Sequence, residues 1–259
     1  MRQVPCVLAI GGLDPGGGAG ILADARAIER AGAFACAVAT VLTVQSTRGL
    51  ARAVPVAPKL WVEQARRVLA DQNVRAIKIG ALGSAENVRA AAKVIIAGRR
   101  PVVLDPVMLP TRGRARLLDE DALAAMRRLL QRAALVTANV AEAESLTGLS
   151  VRNLADAKAA ARALVAMGAG AALVKGGHLE RRDATDVLAV GAKLHELSAS
   201  RLEIRRGVHG TGCYLASLVA ARLAFSPDVA RAVRWAKRIH HAQLAHATDV
   251  GADALVLAF

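Results

Sequence analysis

In RRGVHGTGCYLASLVAARLAF, residues 205–225, a cysteine stands where a glycine turn becomes a run of small and apolar residues that reads as a helix. Gly210, Thr211 and Gly212 come just before Cys213. Such a turn presents the backbone N–H groups of residues 210–213 at a helix N-terminus, an anion hole strengthened by the helix dipole. The same dipole is expected to lower the pKa of Cys213 and free its thiolate as nucleophile or base. The plainer alternative is a small buried hydrophobe.

Other polar residues with chemical potential follow apolar runs. Lys175 closes ALVK before two glycines, a suitable partner for nucleotide phosphates. Gln45, in TVQSTRG, is expected just past an apolar strand, and its amide suits a ligand edge that both donates and accepts. Asp105, in LDPVM, ends a strand with its carboxylate toward a ligand crevice, an oxygen ligand of the kind that suits Mg2+. Asn139 and Glu142 are spaced either as a helix cap with an acid at its third position or as oxygen donors for Mg2+. GGLDPGGGAGILAD, residues 11–24, is a glycine loop leading into a helix, with the Asp24 carboxylate adding to a polar ligand site. His240, His241 and His246 lack same-face spacing and read as helix-surface residues.

The elements that must hold these residues alternate. Strand-length apolar runs (VPCVLAIGG, FACAVATVLTVQ, VRAIKIG, RPVVLDP, ALVTAN, GAALVKGG) recur between helical patterns, with a hairpin-like region after the last and a helical final third. That order implies βαβ units in one α/β domain over residues 1–259, with ligands bound outside the carboxyl ends of a mostly parallel sheet. The 54% hydrophobic content supplies the core, built from Ala, Val and Leu because aromatic residues are only 2%. Three widely spaced cysteines without a CxxC pair argue against disulfides or zinc and point to a reducing cytoplasm. The opening MRQVPCVLAIGG reads as a buried strand, not a signal peptide, and no stretch has the length and apolarity of a membrane helix. The net charge of +14 is scattered over helix faces with few aromatics, so phosphorylated small molecules, not nucleic acid, are the expected partners.

Together GGLDPGGGAGILAD, VQSTRG, KIGAL, LDPVM, VKGGH and above all HGTGC resemble the hydroxymethylpyrimidine and phosphomethylpyrimidine kinases of thiamine biosynthesis, members of the ribokinase-like superfamily. HGTGC is specific, because most sugar kinases of that superfamily carry aspartate where Cys213 stands. The resemblance implies an ATP- and Mg2+-dependent, usually homodimeric enzyme with a three-layer α/β/α fold. It implies Cys213 as base for the hydroxymethyl group, and residues 210–213 as the charge-stabilising turn. Gln45 would read the aminopyrimidine edge, with Gly12, Ala19, Asp24 and Val107 lining the pocket. Asn139, Glu142 and Lys175 would serve magnesium and the ATP phosphates.

The sequence departs from the family at several positions. Leu13, Gly16 and Leu22 replace Ser or Thr, Ser, and Gln, and Ala81 replaces a pocket methionine. Thr111 replaces a loop lysine near Arg112 and Arg114, Ala138 replaces the proline of TPN, and Val208 replaces the Thr before HGTGC. These changes bear on the substrate, and on the second phosphorylation more than the first. A pyridoxal-type vitamin kinase and a non-catalytic pyrimidine sensor are the alternatives. Intact Cys213, Lys175 and Asn139 argue against the sensor.

Overall fold

A computed structural model describes residues 3–96, 100–108, 120–177, 183–204 and 206–257. Thr111, Arg112, Arg114 and His178 lie outside the described residues. In chain order the elements are β1 (Cys6–Leu13), α1 (Gly20–Arg30), β2 (Phe34–Ser46), β3 (Gly49–Pro55), α2 (Pro58–Asp71), β4 (Val74–Ile79) and α3 (Ala85–Ile96). Next come β5 (Val102–Leu104), α4 (Glu120–Leu130), β6 (Leu135–Asn139), α5 (Val140–Thr147), α6 (Leu154–Ala166) and β7 (Ala171–Lys175). The chain continues through β8 (Asp183–Val190), β9 (Lys193–Ser200), β10 (Val208–His209), α7 (Thr211–Leu223), α8 (Val229–Ala245) and β11 (Leu255–Val256).

The main sheet has nine strands in the order β3-β2-β1-β4-β5-β6-β7-β8-β9. From β2 to β7 the neighbours are parallel. Antiparallel β3 closes one edge, and the antiparallel β8–β9 hairpin closes the other. Both faces of the parallel part are covered, which is why its strands are nearly continuous apolar runs. Along β1, Cys6, Leu8 and Ile10 enter the core with α2–α6, while Val7 and Ala9 enter the core with α1, α7 and α8. This is the expected three-layer α/β/α arrangement. The hairpin-like region after β7 is β8–β9. The antiparallel β3 and the small parallel β10–β11 pair were not expected from the sequence, because each is short or glycine- and proline-bounded. Among the described residues no helix is long and apolar enough to cross a membrane.

Strand alternation positions the chemistry. Ala76, Val103, Leu135 and Leu173 face the α1/α7/α8 core. Two residues further on, the same side of each strand or its extension carries Lys78, Asp105, Thr137 and Lys175. The chain leaves β1 in one direction to β2 and later in the other to β4, so β1 and β4 flank the topological switch point.

Two glycines let the loops meet there. Gly20 has φ +60, and a Cβ on it would lie 2.1 Å from the Gly12 carbonyl oxygen. Gly210 has φ +75, and a Cβ on it would lie 2.0 Å from the Gly18 carbonyl oxygen. Gly148, at the end of α5, has a similar φ of +76 with nothing within 4 Å. Gly148→Ala is therefore expected to cost about 1–2 kcal/mol for the left-handed backbone alone. Gly210→Ala is expected to cost about 1–3 kcal/mol beyond that through overpacking. Paired urea melts check this, and equal losses would contradict the close approach.

Candidate active site

Helix α7 begins at Thr211, with Gly210 as its N-cap, so Thr211 and Gly212 belong to the helix and Cys213 lies inside its first turn. The N–H of Tyr214 already bonds the Gly210 carbonyl at 3.0 Å. The N–H groups that a helix start leaves for a ligand are thus those of Thr211, Gly212 and Cys213. Gly210 serves the turn through its conformation. A second helix start converges on the same sulfur, because the amide of Gly20, the first residue of α1, acts on the Cys213 thiol and favours its thiolate.

Cys213 is half-buried, unlike the buried Cys6 and Cys36. The expected lowering of its pKa is corrected by the structure. Burial dominates and pushes the thiol up to about 12, opposed first by Lys78, with Asp105 and Asp24 adding to the rise and the Gly20 amide opposing it. An activated thiolate therefore depends on the charges gathered beneath it.

Those charges form a buried line. Lys78 Nζ reaches both carboxylate oxygens of Asp24, at 2.8 and 2.9 Å, and Ser217 Oγ donates to Asp24 Oδ1 at 2.8 Å. Asp24 and Lys78 are each 0% exposed. Asp24 is therefore corrected from a pocket-lining residue to a buried partner of Lys78. It sits on the inner face of α1, where Ala23, Ala27 and Ile28 also pack. Burial disfavours the charged form of Lys78, but Asp24, then Cys213 and Asp105, hold its pKa above that of an ordinary lysine.

Further along, Lys175 Nζ lies 3.0 Å from Asp105 Oδ1 and 3.8 Å from Glu142 Oε2, and Thr137 Oγ1 donates to Asp105 Oδ1 at 3.1 Å. Asp105 is buried, yet Lys175, Lys78 and these hydrogen bonds hold its carboxyl below the usual range. Lys175 and Thr137 take Asp105 Oδ1, which leaves Oδ2 as the oxygen for the metal role expected of Asp105. Glu142 is pushed up to about 7 by burial, with Lys175 pulling down and Asp105 pushing up. Gly212 lies over this group, and a Cβ on it would meet Lys175 Nζ at 3.0 Å.

Asn139 and Glu142 form the cap that their spacing allowed. Glu142 N–H donates to Asn139 Oδ1 at 2.9 Å, and Asn139 N–H donates to Glu142 Oε2 at 2.8 Å. The cap consumes Asn139 Oδ1, so the residue can offer a ligand its amide N–H pair. Gln45 lies within β2, opposite Leu50 and beside a register shift, instead of past the strand end. A β-bulge of this kind re-aims a side chain. Gly12 adjoins Ala81, since a Cβ on Gly12 would lie 3.5 Å from that of Ala81 and 3.0 Å from Val41 Cγ1. Val107 follows Asp105 in an extended turn, its N–H bonding the Asp105 carbonyl at 2.8 Å.

Ala19, the N-cap of α1, belongs to a clasp that the sequence reading missed. Asp14 accepts the N–H groups of Gly16 and Ala19, both at 2.9 Å. Its Oδ2 lies 3.2 Å from His209 Nε2, off the line of a good hydrogen bond. His209 also packs on Gly18, where a Cβ would meet its ring at 2.8 Å. The glycine loop and HGTGC are thereby fastened together. The signals were an Asp–Pro pair inside a glycine loop and a histidine within the motif itself. For Lys78 the signal was a cation between two isoleucines near the end of an apolar run, akin to the signal that identified Lys175. His240 is a further correction, because its Nε2 is buried without a hydrogen-bond partner. Burial, then Lys237, lowers its pKa to about 4.

A cysteine in the first turn of α7, a cluster of free N–H donors there and lysines at the carboxyl ends of parallel strands fit a small-molecule kinase of the ribokinase-like class. Residues 14–257 match the family model described as phosphomethylpyrimidine kinase. The chain is 40% identical over 242 residues to the hydroxymethylpyrimidine/phosphomethylpyrimidine kinase of Rhizobium meliloti, covering 93% of this chain and 90% of that protein. It is 40% identical over 247 residues to the thiamine biosynthesis bifunctional protein ThiED of Geobacter sulfurreducens, covering 95% of this chain and about half (50%) of that protein. Its fold is similar to that of pyridoxal kinase from Bacillus subtilis, solved as an ADP complex (TM-score 0.89, 26% identity, 98% and 97% coverage). It is also similar to that of phosphomethylpyrimidine kinase from Clostridium difficile (TM-score 0.80, 28% identity, 93% and 100% coverage). The chain belongs to the phosphomethylpyrimidine kinase family of thiamine biosynthesis.

The Asp14 clasp has a testable pH signature. Burial raises the Asp14 pKa, but His209 beside it and the hydrogen bonds from the Ala19 and Gly16 amides outweigh this and hold it below the ordinary 3.8. A lowered folded pKa contributes stability above the unfolded value, and that stability is lost as pH falls through the folded one. Asp14→Asn is expected to be less stable than the parent at pH 5 by about 1.5–3 kcal/mol. The difference shrinks as the pH falls below about 4. Denaturant melts across this range decide it, and a gap undiminished at pH 3 would contradict the clasp.

Proposed function

We propose that the chain, as a single kinase domain, transfers the γ-phosphoryl group of ATP to the hydroxymethyl oxygen of 4-amino-5-hydroxymethyl-2-methylpyrimidine, and then to the resulting monophosphate. The observation that carries this is Cys213 at the joint N-termini of α7 and α1, over the switch point between β1 and β4. The Cys213 thiolate takes the hydroxyl proton as the oxygen bonds to the γ-phosphorus. The bond from that phosphorus to the bridging oxygen breaks, and ADP leaves. The amides of Thr211, Gly212 and Cys213, with Lys175, offset the charge on the moving phosphoryl group, which is most of what such a transfer needs.

Gln45 and the Gly12–Ala81 wall hold the pyrimidine ring, with Ala19 and Val107 completing the pocket. Asn139 offers its amide to the nucleotide phosphates. The donor set fits magnesium in one respect: Glu142 is a carboxylate kept near neutrality beside Lys175, and a divalent cation would favour its charged form. Glu142 would hold the ion through water, and the ion would supply charge neutralisation at the phosphates.

Leu42 and Val54, opposite one another on β2 and β3, are 45% and 46% exposed, and Val44 beside them is 49% exposed. This apolar edge suits the homodimer. Nucleic acid has no part in the proposal.

Ala81 beside Gly12 and the likeness to pyridoxal kinases support a second reading, phosphorylation of pyridoxal or pyridoxine. An ADP-release assay with hydroxymethylpyrimidine, its monophosphate, pyridoxal and pyridoxine tests both. The proposal expects both pyrimidines to be turned over with the highest kcat/KM. Turnover of the pyridine substrates alone would replace it with the second reading.

A further inference from the structure

Lys78 is a cation at 0% exposure, whereas Arg75, the other cation of β4, is exposed. Burying an ammonium is costly, and an ion pair kept only for stability is often replaced by apolar packing without loss. The surroundings of Lys78 fix its charge in one place. Asp24 grips Nζ with both oxygens, at 2.8 and 2.9 Å. Ser217, one turn after Cys213 on the same side of α7, holds Asp24 Oδ1 at 2.8 Å. Gly80 leaves the space that Nζ needs, since a Cβ there would lie 2.7 Å from it.

The groups that act on the Cys213 thiol are the Gly20 N–H and Asp24 carboxylate of α1, Lys78 of β4 and Asp105 beyond β5. Lys175 of β7 stands on the far side of Asp105. Of the groups that favour the thiolate, Lys78 acts most strongly, and Cys213 stands second only to Asp24 among the charges acting on Lys78.

We propose that Lys78 is a positioning residue for Cys213: its ammonium, locked by Asp24 beneath the start of α7, is the counter-charge that makes the thiolate accessible. Lys78 touches no reacting atom and acts through the cysteine. The inference rests on Cys213 being the base, and it is tested without turnover of any substrate.

The rate of alkylation by iodoacetamide is followed against pH, with Cys213 identified as the modified residue by peptide mapping. Lys78→Met is expected to raise the midpoint by at least about one pH unit, a tenfold slower reaction below the midpoint. Asp24→Asn, which leaves the ammonium and removes its anion, is expected to lower it. A merely structural pair would disturb Cys213 in the same direction in both variants, and that result would overturn the proposal. If Lys78→Met does not fold, the double variant Lys78→Met/Asp24→Asn leaves no unpaired charge. Its midpoint is expected above that of the parent, because Lys78 outweighs Asp24 at the sulfur, and a midpoint at or below the parent's would equally refute the idea. Loss of kinase activity with normal alkylation midpoints would count against the counter-charge and leave the substrate assignment untouched.

Discussion

The site depends on ionisable groups that have no water to answer them and must answer one another. Asp24 with Lys78, and Asp105 with Lys175 and Glu142, lie in line beneath the start of α7. Removing one member of such a buried pair costs about 3–5 kcal/mol, because the other is left as an uncompensated charge. The pairing therefore fixes how α1 and the ends of β4, β5 and β7 stand relative to one another. It also explains why the alternation that buries Ala76, Val103 and Leu173 must run without error to Lys78, Asp105 and Lys175.

Above this line the backbones of two glycine turns come together. Gly20 and Gly210 adopt left-handed conformations so that the loop after β1 can pass under the turn before α7. Asp14 then ties the loop's own amides and faces His209. The C-terminal tail ties the approach to α7 to the β2–β3 turn, where Leu255 N–H bonds the Gly207 carbonyl at 3.0 Å and Ala254 N–H bonds the Thr47 carbonyl at 3.3 Å. The result is a sulfur caught between opposed influences. Burial and two carboxylates resist its ionisation, and two helix starts and one ammonium favour it. A thiol held by such a balance responds strongly to whatever charge enters the crevice.

Much of this was legible in the sequence. Strand–helix alternation is a periodic signal, and the polar residues that end apolar runs mark the ligand-facing rim. HGTGC located the cysteine in the first turn of α7. What stayed hidden depends on tertiary pairing. Asp24 looked like a ligand residue because its position in α1 is polar, and only β4 and α7 reveal that Lys78 and Ser217 claim it. The pKa of Cys213 was misjudged for the same reason, since the dipole follows from local sequence but burial does not. Asn139 and Glu142 showed the reverse. Their spacing carried the helix-cap reading on its face, and the cap formed.

The central claim is that Cys213 is a proton acceptor, and the two acceptors of the proposed reaction separate that role from all others. The hydroxymethyl group must lose a proton as it attacks. The phosphate of the monophosphate has a second pKa of about 6 and is already ionised at neutral pH. The most direct measurement is therefore kcat for Cys213→Ala with each acceptor. A loss of about 10²–10⁴-fold is expected with the alcohol. A much smaller loss is expected with the phosphate. Equal losses with both acceptors, or none with the alcohol, would show that the thiol is not the base.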